Sequence, residues 1–248
     1  MMRNLVLKTM LMLAPLWLSG GAIGQVEPEA AELLERAQQV HGGNELLEMT
    51  SYREEGSVTL FGPAGEPVAQ LRGVTLLDLE SASYRDELYS GDELMTISQV
   101  TPAGAWTWTP NTGLLRAPDS QAEILRSGLY RGLFGLRFGS EREAADSLGL
   151  QTWGSREGTA VRLTTQDVDT IYLLDEDGRM LAQRYASPQL GEVTVFYTDY
   201  RQRDDVLVPF TVEYEAAGQA FLKTDLDAIE PNLDLPAEAF APPGDAEF

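Results

Sequence analysis

The chain of 248 residues has no cysteine, one histidine and two lysines, Lys8 and Lys223. The missing cysteines exclude disulfides, thiolate metal sites and a thiol nucleophile. One histidine, His41, cannot form a zinc-binding cluster, and no Gly-x-Ser-x-Gly elbow exists for it to partner in a serine hydrolase. No phosphate-cradling glycine loop is present, because the glycines from 128 to 139 do not follow a strand in the required way. Asp175-Glu176-Asp177-Gly178 lacks the spaced oxygen ligands and terminal glutamate of a calcium loop and reads as a tight turn. No metal and no cofactor are therefore expected. A long apolar run is missing too: Thr9 to Leu18 is broken by Pro15 and is shorter than the ~20 residues of a membrane span.

That short run follows Arg3 and Lys8 and precedes Ala22-Ile23-Gly24, the order of an export signal with a small-x-small cleavage site. The expectation is a signal peptide over 1–24 and a mature chain beginning near Gln25. No cysteine follows for lipidation, so a soluble periplasmic protein is expected. Asp and Glu total 39 against 18 Lys and Arg, a formal charge of −21. Such a field repels phosphate backbones and excludes nucleic acid as a partner. An apolar fraction of 43% supports a core, and the absence of repeats or linkers favours one domain, expected as a monomer.

Glu27 to Val40 reads as a helix, with Pro28 in its first turn, Gly42-Gly43 beyond its end, and Ala30, Leu33, Leu34, Ala37 and Val40 as its apolar stripe. His41 is expected to cap that end by meeting the last carbonyls. A short turn is expected at Asn44 to Met49, capped by Asn44. From Ser51 the period becomes two: Tyr52, Gly56, Val58 and Leu60 share one face, and Arg53, Glu55, Ser57 and Thr59 the other. Further strands are expected at Val68 to Asp78, Tyr84 to Tyr89, Leu94 to Val100 and Ala105 to Thr109. They resume at Gly149 to Trp153, Ala160 to Thr165, Thr170 to Leu174, Met180 to Ala186, Glu192 to Tyr200, Val206 to Tyr214 and Ala220 to Ile229. Their spacing is that of an antiparallel sandwich or barrel. An extended tail, 231–248, would follow a domain over 25–230.

One stretch interrupts the meander. Between Leu94 and Ser140 only Asp119 and Glu123 are acidic, against Arg116, Arg126, Arg131 and Arg137. Ser120-x-x-Glu123 resembles a capping box, and Ala122, Leu125, Leu129 and Leu133 follow at helical spacing. Gly128, Gly132 and Gly135 each weaken that helix by up to ~1 kcal/mol relative to alanine, so it should be short, kinked or mobile. Glu141 to Ser147 is expected to add one more helical turn. Trp106 and Trp108 share a strand face just before it. A greasy, mildly basic segment in an anionic protein suits a lid over an apolar cavity or a surface that touches lipid.

The order of parts resembles the LolA/LolB-like family of bacterial lipoprotein carriers. Ala103-Gly104-Ala105-Trp106-Thr107-Trp108-Thr109-Pro110 is similar to its G-x-x-W-x-Y-x-P strand. Tyr200 to Pro209 is similar to its Y-x-x-x-D-G-x-x-x-P hairpin, with Asp205 where glycine is usual. Pro231-Asn232-Leu233-Asp234 and Phe240-Ala241-Pro242-Pro243 resemble its close.

The resemblance implies a mainly β (α+β) fold: a half-open antiparallel β-barrel with an N-terminal helix and an inserted helical lid. It also implies a concave apolar face that binds lipoprotein acyl chains, with membrane-bound donor and acceptor proteins as partners. An arginine on the first strand helps to hold the lid in the family, and Arg53 lies in that region. On this basis Val58, Leu60, Val74, Leu76, Trp106 and Trp108 are expected to line the cavity. Leu125, Leu129, Leu133 and Phe134 would cover it when empty and move when it is loaded. Arg126, Arg131 and Arg137 would meet lipid phosphates or an acidic partner. Binding through buried methylenes needs no catalytic group, so an enzyme is not expected. A regulatory or scaffold domain of the same fold is the alternative. A hydrolase using paired carboxylates ranks below both, since most carboxylates sit in turns or on solvated strand faces.

Overall fold

The computed structural model of the chain describes residues 25–137 and 142–241. The export signal read at 1–24, Gly139 and Glu141 lie outside the described residues.

Helix α1, Pro28–Val40, starts with proline at its first turn and buries Ala30, Leu34, Ala37 and Gln38. A single turn, α2 (Asn44–Glu48), follows; Gly43 holds its N-cap position and no side chain caps it, so Asn44 lies inside the turn. Six strands come next: β1 (Ser51–Phe61), β2 (Pro67–Asp78), β3 (Ser83–Ser90), β4 (Glu93–Thr101), β5 (Gly104–Thr109) and β6 (Gly113–Arg116). The insertion folds into α3 (Asp119–Gly128) and α4 (Gly132–Arg137). Seven further strands follow among the described residues: β7 (Ala144–Trp153), β8 (Arg156–Thr165), β9 (Val168–Leu174), β10 (Met180–Ser187), β11 (Gly191–Arg203), β12 (Val206–Ala216) and β13 (Gln219–Pro231).

The thirteen strands of the described residues form one antiparallel sheet in the order β6-β5-β4-β3-β2-β1-β13-β12-β11-β10-β9-β8-β7. The first and last strands pair at its centre, from Tyr52–Pro231 to Leu60–Leu222. Its two edges are therefore β6 and β7, the strands that flank the helical insertion. The sheet curves without closing, and α3 and α4 bridge between its edges. That is the half-open architecture expected from sequence.

Local differences have local causes. Ser120 sits within the first turn of α3, Pro118 holds the cap position, and the expected capping box does not form. The helical turn expected over Glu141 to Ser147 is strand from Ala144 onward, because Ala144 to Ser147 pair with Thr164 to Val161 and Val26 bridges to Ala145. A long-range ladder here overrides a weak helical preference. The last strand reaches Pro231, and the segment expected as an extended tail turns back over the outer face into a 3-10 turn at Ala237–Phe240. There Gln99 donates to the Phe240 carbonyl, and Arg85 donates to that of Ala239.

His41 is fully buried at the end of α1. Its ring reaches Leu207 and Met180, not the carbonyls of its own helix.

Candidate ligand-binding cavity

Antiparallel partners point to the same side of a sheet, so the register assigns every face. Tyr52, Glu54, Gly56 and Val58 of β1 stand beside Leu77, Thr75, Gly73 and Leu71 of β2. Thr75 and Gly73 in turn pair with Asp86 and Leu88 of β3. This is the concave side. With Tyr185 of β10, Tyr214 of β12 and Leu222, Thr224 and Leu226 of β13, it walls a cavity of about 1030 Å³. Ile124, Ser127, Tyr130 and Arg131 of the insertion form the cover. Exposed residues mark the mouth: Glu123 and Arg126 on α3, the β8–β9 turn at Gln166 and Asp167, and the β10–β11 turn ending at Leu190. A second chamber of about 310 Å³ lies under the helices, against Leu125, Leu133, Phe134, Leu77 and Val212.

The walls are not uniformly apolar. Glu54 and Asp86 both line the larger cavity. Burial raises the Glu54 carboxyl to a pKa of about 7, although Tyr52 and Thr75 hydrogen-bond to it and partly offset the effect. Burial likewise raises Asp86 to about 6, with Thr75 Oγ1 donating to its Oδ1 at 3.1 Å. On the side of the cover, the Arg131 guanidinium lies 3.9 Å above the ring of Tyr185. Its Nε is withdrawn from solvent and has no hydrogen-bond partner among the described residues. Desolvation lowers the pKa of Arg131, with Tyr185, Tyr172 and Tyr197 acting in the opposite direction.

The cover has one fixed half. The Gly132 N–H donates to Gln183 Oε1 at 2.6 Å, and the Tyr172 hydroxyl donates to the Gly132 carbonyl at 3.2 Å. Gln38 Nε2 of α1 donates to the Leu136 carbonyl at 2.6 Å. Phe134 meets Tyr52 edge to face, with centroids 4.9 Å apart. Helix α4 is thus clamped to sheet and helix alike. Two of the three glycines read as weakening the segment instead permit this fit. A Cβ on Gly135 would stand 2.2 Å from the Tyr172 hydroxyl and 2.5 Å from the Tyr130 carbonyl oxygen. Gly132 adopts φ +59°. Only Gly128, at the end of α3, has open space around it.

The residues singled out from sequence divide accordingly. Val58 lines the large cavity; Leu60 shares its face but lies beyond the cavity. Leu125, Leu133 and Phe134 line the inner chamber, while Leu129 is buried in the core beside it. Val74 and Leu76 stand on the outer face, paired with Glu55 and Arg53. Trp106 and Trp108 do the same, paired with Gln99 and Ile97. These four do not line the cavity. Alternation predicts the apolar parity inward, whereas the outer face carries apolar side chains among ion pairs such as Arg85–Glu87. Arg53 also lies outside, bridged to Glu55 and Glu230, and does not reach the cover. Arg126 is exposed at the mouth, Arg131 points inward, and Arg137 is half-buried at the end of α4. Glu54, Thr75, Tyr84, Asp86, Tyr185 and Tyr214 also line the large cavity and carry no motif that marks them in the sequence. Glu54 shares the parity of Tyr52 and Val58, and that parity is its signal in the sequence.

No protein-family model matches the sequence, and no curated protein matches it. Among solved structures, the fold is similar to a DUF1329 family protein from Desulfovibrio piger, with a TM-score of 0.58 and 11% identity over 86% of this chain and 95% of that one. It is similar to a LolA superfamily protein from Nitrosomonas europaea, with a TM-score of 0.57 and 14% identity over 85% of this chain and 96% of that one. A domain assigned to outer-membrane lipoprotein sorting in Vibrio parahaemolyticus aligns at a TM-score of 0.55 and 13% identity, over 85% and 97%. At such identities the likeness concerns architecture, and the architecture is LolA-like.

Proposed function

We propose that this chain is a periplasmic carrier that holds lipoprotein acyl chains or another lipid non-covalently. The observation that carries the reading is the cavity of about 1030 Å³ between the concave sheet and the helical cover. Each buried CH₂ contributes about 0.8 kcal/mol, so some ten methylenes supply about 8 kcal/mol before the cost of ordering them. Loading and release need a second state. Helix α3 provides it by swinging at Gly128 while α4 stays clamped. The lipoprotein-sorting and LolA names of the structural neighbours are consistent with this role, and the N-terminal signal fits export.

The test is extraction and mass spectrometry of protein purified from its native compartment without detergent. Stoichiometric lipid or acylated peptide supports the carrier. An empty protein that captures one membrane protein through the concave face points to the regulatory alternative. Product release from a substrate panel, abolished in Glu54→Gln, would replace the carrier with an enzyme.

A further inference from the structure

The cavity holds charges of both signs that do not neutralise one another. Arg131 forms no ion pair among the described residues, and its only ring partner there is Tyr185. The guanidinium carbon lies 3.9 Å from the Tyr185 ring centroid and Arg131 lines the cavity, so its N–H donors suit a planar or tetrahedral oxyanion held there. Glu54 and Asp86 face the same space with hydroxyl partners only. The arginines on the neighbouring strands, Arg53, Arg72 and Arg85, are turned to the outer face and paired there with Glu55, Glu87 and Glu230. Desolvated charges of this kind are costly unless something completes them. A purely anionic ligand at Arg131 would share the cavity with two carboxylates. A purely cationic one at the carboxylates would share it with a guanidinium.

We propose that the cavity recognises a zwitterionic amphiphile of the phosphoethanolamine type. Arg131 receives the phosphate, and Glu54 with Asp86 receives the primary ammonium. The acyl portion lies along Val58, Leu88 and Leu226, all of which line the same cavity. The assignment rests on the carrier reading and adds the head group to it. Thr75, between the two acids in the register, donates its one hydroxyl proton to Asp86 and stands beside Glu54. Opposed charges on two walls also discriminate against lipids of either single sign.

The experiment is calorimetric titration of the full protein with three soluble probes of equal chain length, each below its micellar concentration. These are dihexanoyl-phosphatidylethanolamine, dihexanoyl-phosphatidylglycerol and uncharged dihexanoylglycerol. The zwitterion is expected to bind at least about tenfold more tightly than either of the others. Glu54→Gln with Asp86→Asn should erase its advantage over the phosphoglycerol probe. Arg131→Gln should weaken both phosphate probes by about tenfold or more and leave the uncharged probe unchanged, with Arg131→Lys intermediate. The comparison on the unaltered protein needs no variant to fold. Equal affinity for all three probes overturns the head-group site while leaving the carrier intact. Preference for the phosphoglycerol probe, or an Arg131→Gln protein that binds as wild type, overturns it as well. Failure of all three probes to bind overturns both readings.

Discussion

The Met180 N–H donates to His41 Nε2 at 3.1 Å, and this contact decides the tautomer of the imidazole. With Nε2 an acceptor, the proton sits on Nδ1 and is donated to the Leu207 carbonyl at 2.8 Å. One neutral ring therefore joins the end of α1 to β10 and β12. The same corner is closed by Tyr200, whose hydroxyl donates to the Met180 carbonyl and whose ring centroid lies 5.4 Å from that of His41.

His41 should make the fold sensitive to acid. Burial lowers its pKa below 6.5, the hydrogen bond to Leu207 opposes that shift, and Arg179 adds to it. The unfolded chain thus binds a proton that the folded one refuses. Its contribution to stability is complete above 6.5 and is lost as pH falls toward the folded-state value. Substitution by Ala removes both buried hydrogen bonds and should cost about 3 kcal/mol at pH 7.5. Chemical denaturation between pH 5 and 8 should show the gap between wild type and variant narrowing on the acid side.

Glu54 and Asp86 act in the opposite direction. Their folded-state pKa values are raised to about 7 and about 6, so the stability they contribute is present below their ordinary values and declines as pH rises through those figures. Glu54→Gln with Asp86→Asn should stabilise the empty protein at pH 8, by on the order of 1 kcal/mol, and have much less effect at pH 4.5. Melting curves at the two pH values check this; an equal shift at both would contradict it.

Two glycines of the cover should respond to alanine with opposite signs. Gly128 has room for a Cβ, and Gly128→Ala should stabilise α3 by up to ~1 kcal/mol while slowing its opening. Gly135→Ala drives a Cβ into Tyr172 and the Tyr130 carbonyl and should destabilise by about 2 kcal/mol. Hydrogen exchange at Asp119–Gly128 and at Gly132–Arg137 reads the two helices separately.

Cavity and outer face can be told apart by filling one and trimming the other. Leu88→Trp places a larger side chain in the cavity and should reduce uptake of a fluorescent fatty acyl probe by at least about fivefold. Trp108→Phe, on the outer face opposite Ile97, should leave uptake unchanged. The reverse pattern would mean that the register reading of the two faces is inverted.

Much of the fold was legible because its signals are local. Pro28 and Gly42-Gly43 bracket α1, and Asp175 to Gly178 turn between β9 and β10 as expected, with Asp175 Oδ1 accepting from Asp177 and Arg179 N–H groups. Even the departure at Asp204-Asp205 is absorbed locally: both residues take the left-handed conformation of a tight hairpin, at φ 44° and 63°. Short pieces whose pairing is distant were not legible. Strand β6, Gly113–Arg116, has four residues and depends on β5 for its existence. The start of β7 depends in the same way on β8.

The candidate site was legible in outline only. An interrupted meander and a greasy insertion place a cavity between them; Val58 lines the larger space, and Leu125, Leu133 and Phe134 line the inner chamber. Val74, Leu76, Trp106 and Trp108 have the composition expected of a lining and the wrong parity. Arg131 has the composition of a surface contact and is turned inward over Tyr185.

From the sequence by itself came the alternation, the turns, the inserted helices and the surplus of acid, all of which act within a few residues. Only tertiary structure decided that β1 pairs with β13, which makes β6 and β7 the edges and brings the insertion across the opening. It also decided which side of the sheet is concave. A period of two sorts side chains into two faces but carries no sign, and the curvature that supplies the sign arises only when thirteen strands pair in register.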